Sequence, residues 1–125
     1  ETVLLAEDDE FVRKAASRIL RGRGYRLLEA KDGEEALRLA ERHKGSIDLL
    51  LTDVIMPRMD GSRLRDKLVE ARPGLKCLFM SGYAGALITQ KGIIETGTAY
   101  LQKPFASAEL IRKVRLALDP TSPTV

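Results

Sequence analysis

Five polar side chains in this sequence stand directly after short apolar runs, and their types suit phosphoryl chemistry. Glu7 and Asp8 follow Thr2-Val3-Leu4-Leu5-Ala6, and Asp53 follows Leu49-Leu50-Leu51-Thr52. Ser81 follows Leu75 to Met80, and Lys103 follows Thr98 to Gln102. Three carboxylates at close quarters repel one another unless a cation or protons intervene. A donor set of oxygens without His or Cys selects a hard ion, so Mg²⁺ retaining several waters is the expected cofactor. A Lys ammonium and a Ser hydroxyl beside such an ion make a site for a dianionic phosphoryl group. Asp53 is the acid at its centre and the candidate nucleophile, giving an aspartyl phosphate. Each piece also has a plain reading by itself. Glu7, Asp8 and Asp9 suit a helix N-terminus, Ser81 or Asp53 a helix cap, and Lys103 a solvated surface. The chemistry depends on whether the fold brings the five together.

The elements that must do so read clearly. Thr2 to Ala6, Tyr25 to Ala30, Ile47 to Thr52, Leu75 to Met80 and Thr98 to Gln102 are strand-like, and the apolar third run suits a strand buried on both faces. Between them lie helical patterns. The first, with Phe11, Ala15, Ile19 and Leu20 as its apolar repeat, is stopped by Gly22 and Gly24. The second runs from Glu34 to His43 after an Asp32/Glu35 capping pair, and the third from an Asp60 cap to about Ala71, before Pro73-Gly74. Residues 84–96 read as a fourth helix weakened by Gly85 and Gly92. A last helix buries Leu110, Val114, Ala117 and Leu118. Strands alternating with helices imply a doubly wound five-stranded parallel sheet of α/β class, and right-handed crossovers admit the strand order 2-1-3-4-5. Its switch point lies between strands one and three, which puts the Glu7-Asp8-Asp9 loop beside Asp53.

Composition narrows the classes. The chain of 125 residues and 13.9 kDa suits one domain over residues 1–119, with a flexible Pro/Thr tail or linker at 120–125. No apolar run spans a bilayer, so no membrane contact by this domain and a cytoplasmic location are expected, within a parent chain that membrane anchoring would still permit. A single cysteine excludes an internal disulfide, and Cys77 reads as a buried strand thiol. The net charge of +3 is spread along helices without a basic run or aromatic ladder, which argues against nucleic-acid binding. The one histidine, His43, lies among charges near a helix end and reads as a surface residue.

Along essentially its whole length the chain resembles the receiver domains of two-component response regulators, whose fold is the CheY-like (flavodoxin-like) (βα)5 sheet. The matching pieces are Leu4 to Glu10, Asp53-Val54-Ile55-Met56-Pro57-Arg58-Met59-Asp60-Gly61, Met80-Ser81-Gly82-Tyr83, and Tyr100-Leu101-Gln102-Lys103-Pro104-Phe105. The resemblance implies a phosphoacceptor in a phosphorelay, with Asp53 taking a phosphoryl group from a phosphohistidine on a histidine kinase or histidine phosphotransfer domain. It implies that Asp8 and Asp53 bind Mg²⁺ directly, Glu7 through water, and the Ile55 backbone carbonyl as a further ligand. The position of Arg13, five after the second acid, favours Glu7-Asp8 over Asp8-Asp9 as the acidic pair. Ser81 matches the switch hydroxyl, Tyr100 the switch aromatic and Lys103 the phosphate-binding lysine, and Lys103-Pro104 resembles a bond that is cis in the family. Phosphorylation is then expected to rearrange the surface of helix 4, strand 5 and helix 5 for a downstream protein, with a phosphorylation-dependent dimer left open. Ile55 and Tyr83 match positions that tune attack by water.

Rival readings fit less well. An aspartyl-phosphate phosphatase of the haloacid dehalogenase type needs a second Asp two residues after the first, where this chain has Ile55. A nucleotide- or flavin-binding module needs a Gly-rich loop after strand one, where this chain has acids that repel phosphate. The Glu1-Thr2-Val3-Leu4-Leu5 entry and the Ser81-Gly82-Tyr83-Ala84 run resemble receivers of hybrid sensor histidine kinases, with a stand-alone or output-domain-linked regulator as the alternative.

Overall fold

A computed structural model describes residues 1–82 and 99–119. Strands β1 (Thr2–Ala6), β2 (Arg26–Ala30), β3 (Leu49–Asp53), β4 (Lys76–Ser81) and β5 (Ala99–Gln102) form one sheet in the order β2-β1-β3-β4-β5, with every pairing parallel. Helices α1 (Glu10–Gly22), α2 (Gly33–Arg42) and α3 (Gly61–Ala71) and a last helix (Ser107–Leu118) cover its two faces. The expected topology is therefore the observed one. The helix read over 84–96, Tyr83 and the tail at 120–125 lie outside the described residues.

The pleat explains how an unbroken apolar strand serves two cores. Successive side chains point to opposite faces. Val3, Leu5, Leu49 and Leu51 thus meet α1 and the last helix through Leu20, Leu110 and Val114. Leu4, Ala6 and Leu50 meet α2 and α3 through Ala36, Ala40, Leu64 and Leu68. All five residues of β1 and of β3 are buried, as a central parallel strand requires.

Side-chain caps set where three helices begin. Asp9 accepts from the N–H groups of Phe11 and Val12 at 2.9 and 3.2 Å, and Asp60 from Arg63 N–H at 2.9 Å. Asp32 accepts from Glu35 N–H at 2.8 Å, while Glu35 reaches back to Lys31 N–H at 2.7 Å, one residue before the cap. The bare Cα of Gly33 lets Met59 lie against the first turn of α2, since a Cβ there would stand 2.9 Å from the Met59 sulfur.

One face departs from the sequence reading. Of the repeat Phe11, Ala15, Ile19, Leu20, only Ile19 and Leu20 pack into the core. The buried residues of α1 are Ala16, Ser17 and Leu20, whereas Ala15 is exposed and Phe11 is 89% exposed. The buried line runs one position on, at a four-residue spacing ending at Leu20. Small Ala16 and Ser17 let α1 lie close to the sheet, and Phe11 falls on the outward flank. Smaller differences concern boundaries. β3 starts at Leu49, Ile47 being buried ahead of it, β4 runs on to Ser81, and His43 is the residue just after α2. Cys77 is a half-buried strand thiol, and burial pushes its pKa up to about 12, so it stays protonated.

Away from the carboxyl edge of the sheet, Arg72 ties α2 to α3. Its guanidinium donates to the carbonyls of Ala40, His43 and Gly45 at 2.9, 3.0 and 3.1 Å, which closes the C-terminal end of α2. Arg72→Ala is expected to lower unfolding free energy by about 1–3 kcal/mol in urea titrations, with Mg²⁺ affinity unchanged.

Candidate functional site

Strand register assembles the five polar groups. Ala6 pairs with Thr52, so the next residues on β1 and β3, Glu7 and Asp53, fall level. Asp53 pairs with Met80, which places Ser81 one step beyond. Ser81 pairs with Gln102, and Lys103 follows it. Glu7, Asp8, Asp9, Asp53, Ile55, Ser81, Gly82 and Lys103 line one cavity of about 430 Å³ at the carboxyl ends of the strands. Among the described residues that the sequence names for the site, Tyr100 lies off this wall. Its hydroxyl donates to the Ser81 backbone carbonyl at 3.1 Å, and its ring packs with Val54 and Phe79 on the far side of β4–β5.

Lys103 joins the carboxylates. Its ammonium stands 2.9 Å from Glu7 Oε1 and 3.0 Å from Asp53 Oδ2. The bond that follows it, Lys103-Pro104, is cis, as the family resemblance implied. Carboxylate oxygens of Glu7, Asp8 and Asp53 all lie within 4.8 Å of one another. Asp9, the remaining acid of the loop, caps α1 and is not part of this cluster. Glu7 also accepts from Asp9 N–H at 3.0 Å, and Arg13 donates to the Glu7 carbonyl at 3.0 Å. The sequence marks Arg13 by its spacing, and this contact shows that spacing at work in fixing the loop.

The donor chemistry fits a hard divalent cation. Three carboxylates and no nitrogen or sulfur donor converge, with one side of the cluster open to the cavity. One ammonium against three carboxylates leaves negative charge uncompensated, and the proton affinities reflect it. Burial pushes Glu7 up to about 7, assisted by neighbouring Asp53 and opposed by Asp9 N–H and Lys103. Asp53 is raised chiefly by burial, with Asp8 adding to the shift and Lys103 opposing it. For Lys103, burial works against the charge, but the bonds to Glu7 and Asp53 outweigh it and its pKa is raised.

A doubly wound sheet whose carboxyl edge gathers an acidic triad, a lysine and a serine defines a phosphoacceptor signalling module rather than a classical enzyme. The chain belongs to the response regulator receiver domain family, whose model matches residues 3–115. It is 38% identical over 118 residues to the sensor kinase CckA of Brucella abortus, an alignment covering 94% of this chain and 12% of that protein. The response regulator receiver protein CpdR of the same organism is 32% identical, with 93% of this chain and 95% of CpdR covered. Among solved structures, the receiver domain of the hybrid histidine kinase CckA superposes with a TM-score of 0.73 at 41% identity, covering 95% of this chain and all of that one. The chain thus spans about an eighth of the length of the sensor kinase it matches. Among the described residues no helix is long and apolar enough to cross a membrane.

The raised pKa of Glu7 carries a signed consequence. The folded state holds the Glu7 proton to about pH 7 and the unfolded chain only to about 4.5. Between these values the folded state binds more protons, so this group's contribution to stability falls as pH rises. Without divalent cation, Glu7→Gln should gain in Tm over wild type from pH 5 to pH 8, measured by paired thermal melts. Saturating Mg²⁺ should shrink that gain by stabilising the wild-type carboxylate.

Proposed function

We propose that this receiver accepts a phosphoryl group on Asp53 from a phosphohistidine of a histidine kinase or histidine phosphotransfer domain, within a hybrid sensor kinase phosphorelay. The observation that carries the reading is the Lys103 ammonium within 3.0 Å of both Glu7 and Asp53 at the mouth of an acidic cavity. In the transfer, the phosphorus–nitrogen bond of the donor breaks as an Asp53 carboxylate oxygen bonds to phosphorus, and the imidazole leaves. Asp53 lies at a strand end, held by pairing with β4, so its carboxylate is presented rather than mobile. Lys103 would follow the charge from carboxylate to phosphoryl oxygen, and the Ser81 hydroxyl would donate to a second oxygen. Bound by Asp8, Asp53 and the Ile55 carbonyl, with Glu7 acting through water, Mg²⁺ would offset the repulsion between these acids and the incoming phosphate.

Ser81 and Tyr100 supply a route outward. The Tyr100 hydroxyl already engages the Ser81 carbonyl, so movement of Ser81 toward a phosphoryl group disturbs the Tyr100 contact directly. The affected surface, next to β5 and the last helix, is the proposed docking face for the downstream partner. Phe11 and Ile55 are the exposed large apolar residues among those described. One is in the first turn of α1, two residues past Asp9, and the other lines the cavity, which suits contact by a protein donor. The 38% and 41% identities to CckA and its receiver support the hybrid-kinase setting. A stand-alone regulator is the second reading, supported by CpdR, 95% of which is covered.

Intact mass after incubation with acetyl phosphate tests the acceptor. One phosphoryl adduct requiring Mg²⁺ is expected in wild type and none in Asp53→Asn, and an adduct retained by that variant would move the acceptor elsewhere. Ile55 bears on lifetime, because an apolar side chain, 50% exposed at the site, cannot orient an attacking water. The aspartyl phosphate of the isolated chain should last minutes or longer, and decay within seconds would contradict this role for Ile55.

A further inference from the structure

Thr52 is the one polar side chain in the inner run of β3, and it is fully buried among the apolar neighbours of α2 and α3. A buried hydroxyl is costly unless it is hydrogen-bonded. Thr52 Oγ1 donates to the backbone carbonyl of Asp53 at 2.9 Å and lies 4.0 Å from the Met56 sulfur. The same carbonyl is approached from the other element by Gly61, the first residue of α3. A Cβ on Gly61 would overlap the Asp53 carbonyl oxygen and stand 3.1 Å from Thr52 Cγ2. The φ of Gly61 lies outside the left-handed region, so the demand for glycine there is steric rather than conformational. Gly61 N–H in turn donates to the Val54 carbonyl at 2.7 Å, closing the loop that carries Ile55.

We propose that Thr52 and Gly61 are positioning residues for phosphoryl transfer: the hydroxyl of one and the bare Cα of the other clamp the Asp53 peptide, and so aim its carboxylate. This rests on Asp53 being the acceptor. Neither residue reaches the cavity, and both act through the main chain of the group that reacts. The N–H of the same peptide, on Val54, donates to the Met80 carbonyl at 3.0 Å, so the Asp53–Val54 peptide is held by β4 at its N–H and by Thr52 at its carbonyl. With the N–H tied, a push from Gly61 on the carbonyl or the loss of the Thr52 bond would tilt this peptide about its bond to Met80 and shift the Asp53 backbone that carries the carboxylate.

The test follows phosphorylation of the 125-residue chain by acetyl phosphate across Mg²⁺ concentrations, with intact mass as readout. Thr52→Val keeps shape and burial but loses the hydroxyl, Thr52→Ser keeps the hydroxyl, and Gly61→Ala adds the Cβ. At saturating Mg²⁺ the rate constant should fall about tenfold in Thr52→Val and about tenfold to a hundredfold in Gly61→Ala, as misplacement of a reacting group predicts. Thr52→Ser should stay within about twofold of wild type, on the same argument. In the magnesium-free protein the Asp53 carbonyl ¹³C resonance should move in Thr52→Val and hold in Thr52→Ser, a change that loss of core packing alone does not predict. Wild-type rates in Thr52→Val, or equal slowing in Thr52→Val and Thr52→Ser, would overturn the proposal. If Gly61→Ala does not fold, the Thr52 pair decides. Failure of wild type itself to take a phosphoryl group would overturn the acceptor reading and this proposal with it. Phosphorylation of wild type with unaffected variants removes only the positioning role.

Discussion

Glu7 is completely buried and Asp53 nearly so, and two carboxylates can share such a place only if something positive stands between them. Lys103 fills that position, bonded to both, and the carboxyl edge of the sheet is arranged around this requirement. The compensation is incomplete because Asp8 brings a third carboxylate to the same few ångströms. Burial, with neighbouring Asp53 adding to it, pushes the Glu7 pKa up to about 7.

The scaffold keeps this edge in place by separating tasks between its layers. The two apolar faces of β1 and β3 hold the helices, and neither face uses a residue of the cavity. Side-chain caps by Asp9, Asp32 and Asp60 start α1, α2 and α3, and the first of these removes one acid from the cluster. Arg72 closes the far end of α2 and ties it to α3. Strain is held locally, at Arg58, whose φ of 72° lies in the turn between β3 and α3. That turn joins Asp53 to Gly61, so the one left-handed side-chain-bearing residue among those described belongs to the loop that completes the site.

The chain is similar both to the receiver domain of the hybrid histidine kinase CckA and to the response regulator receiver protein CpdR. The site and its partner surface are separable questions. The proposed phosphoryl chemistry uses Glu7, Asp8, Asp53, Ser81 and Lys103. Phe11 points outward, and the buried core makes no demand on it.

How much of this was legible beforehand follows from which forces act locally. Five strand-like runs alternating with helical periods determined the parallel sheet and its winding, because β-α alternation and right-handed crossovers leave few choices. The residue types after each run determined the acidic triad, serine and lysine, because parallel strands end on the same edge. Periodicity failed at Phe11, since a small shift in helical phase decides which flank meets the sheet, and only packing against β1 and β2 sets that phase. Tertiary structure added the Asp9 cap to the Arg13 spacing, which already favoured Glu7-Asp8 as the pair. It alone brought Lys103 between Glu7 and Asp53, 96 and 50 residues away in the chain. And it alone gave Thr52 and Gly61 a common contact at the Asp53 carbonyl. Chain order carries the chemistry of each group, whereas distances between groups on different strands exist only once the register is made.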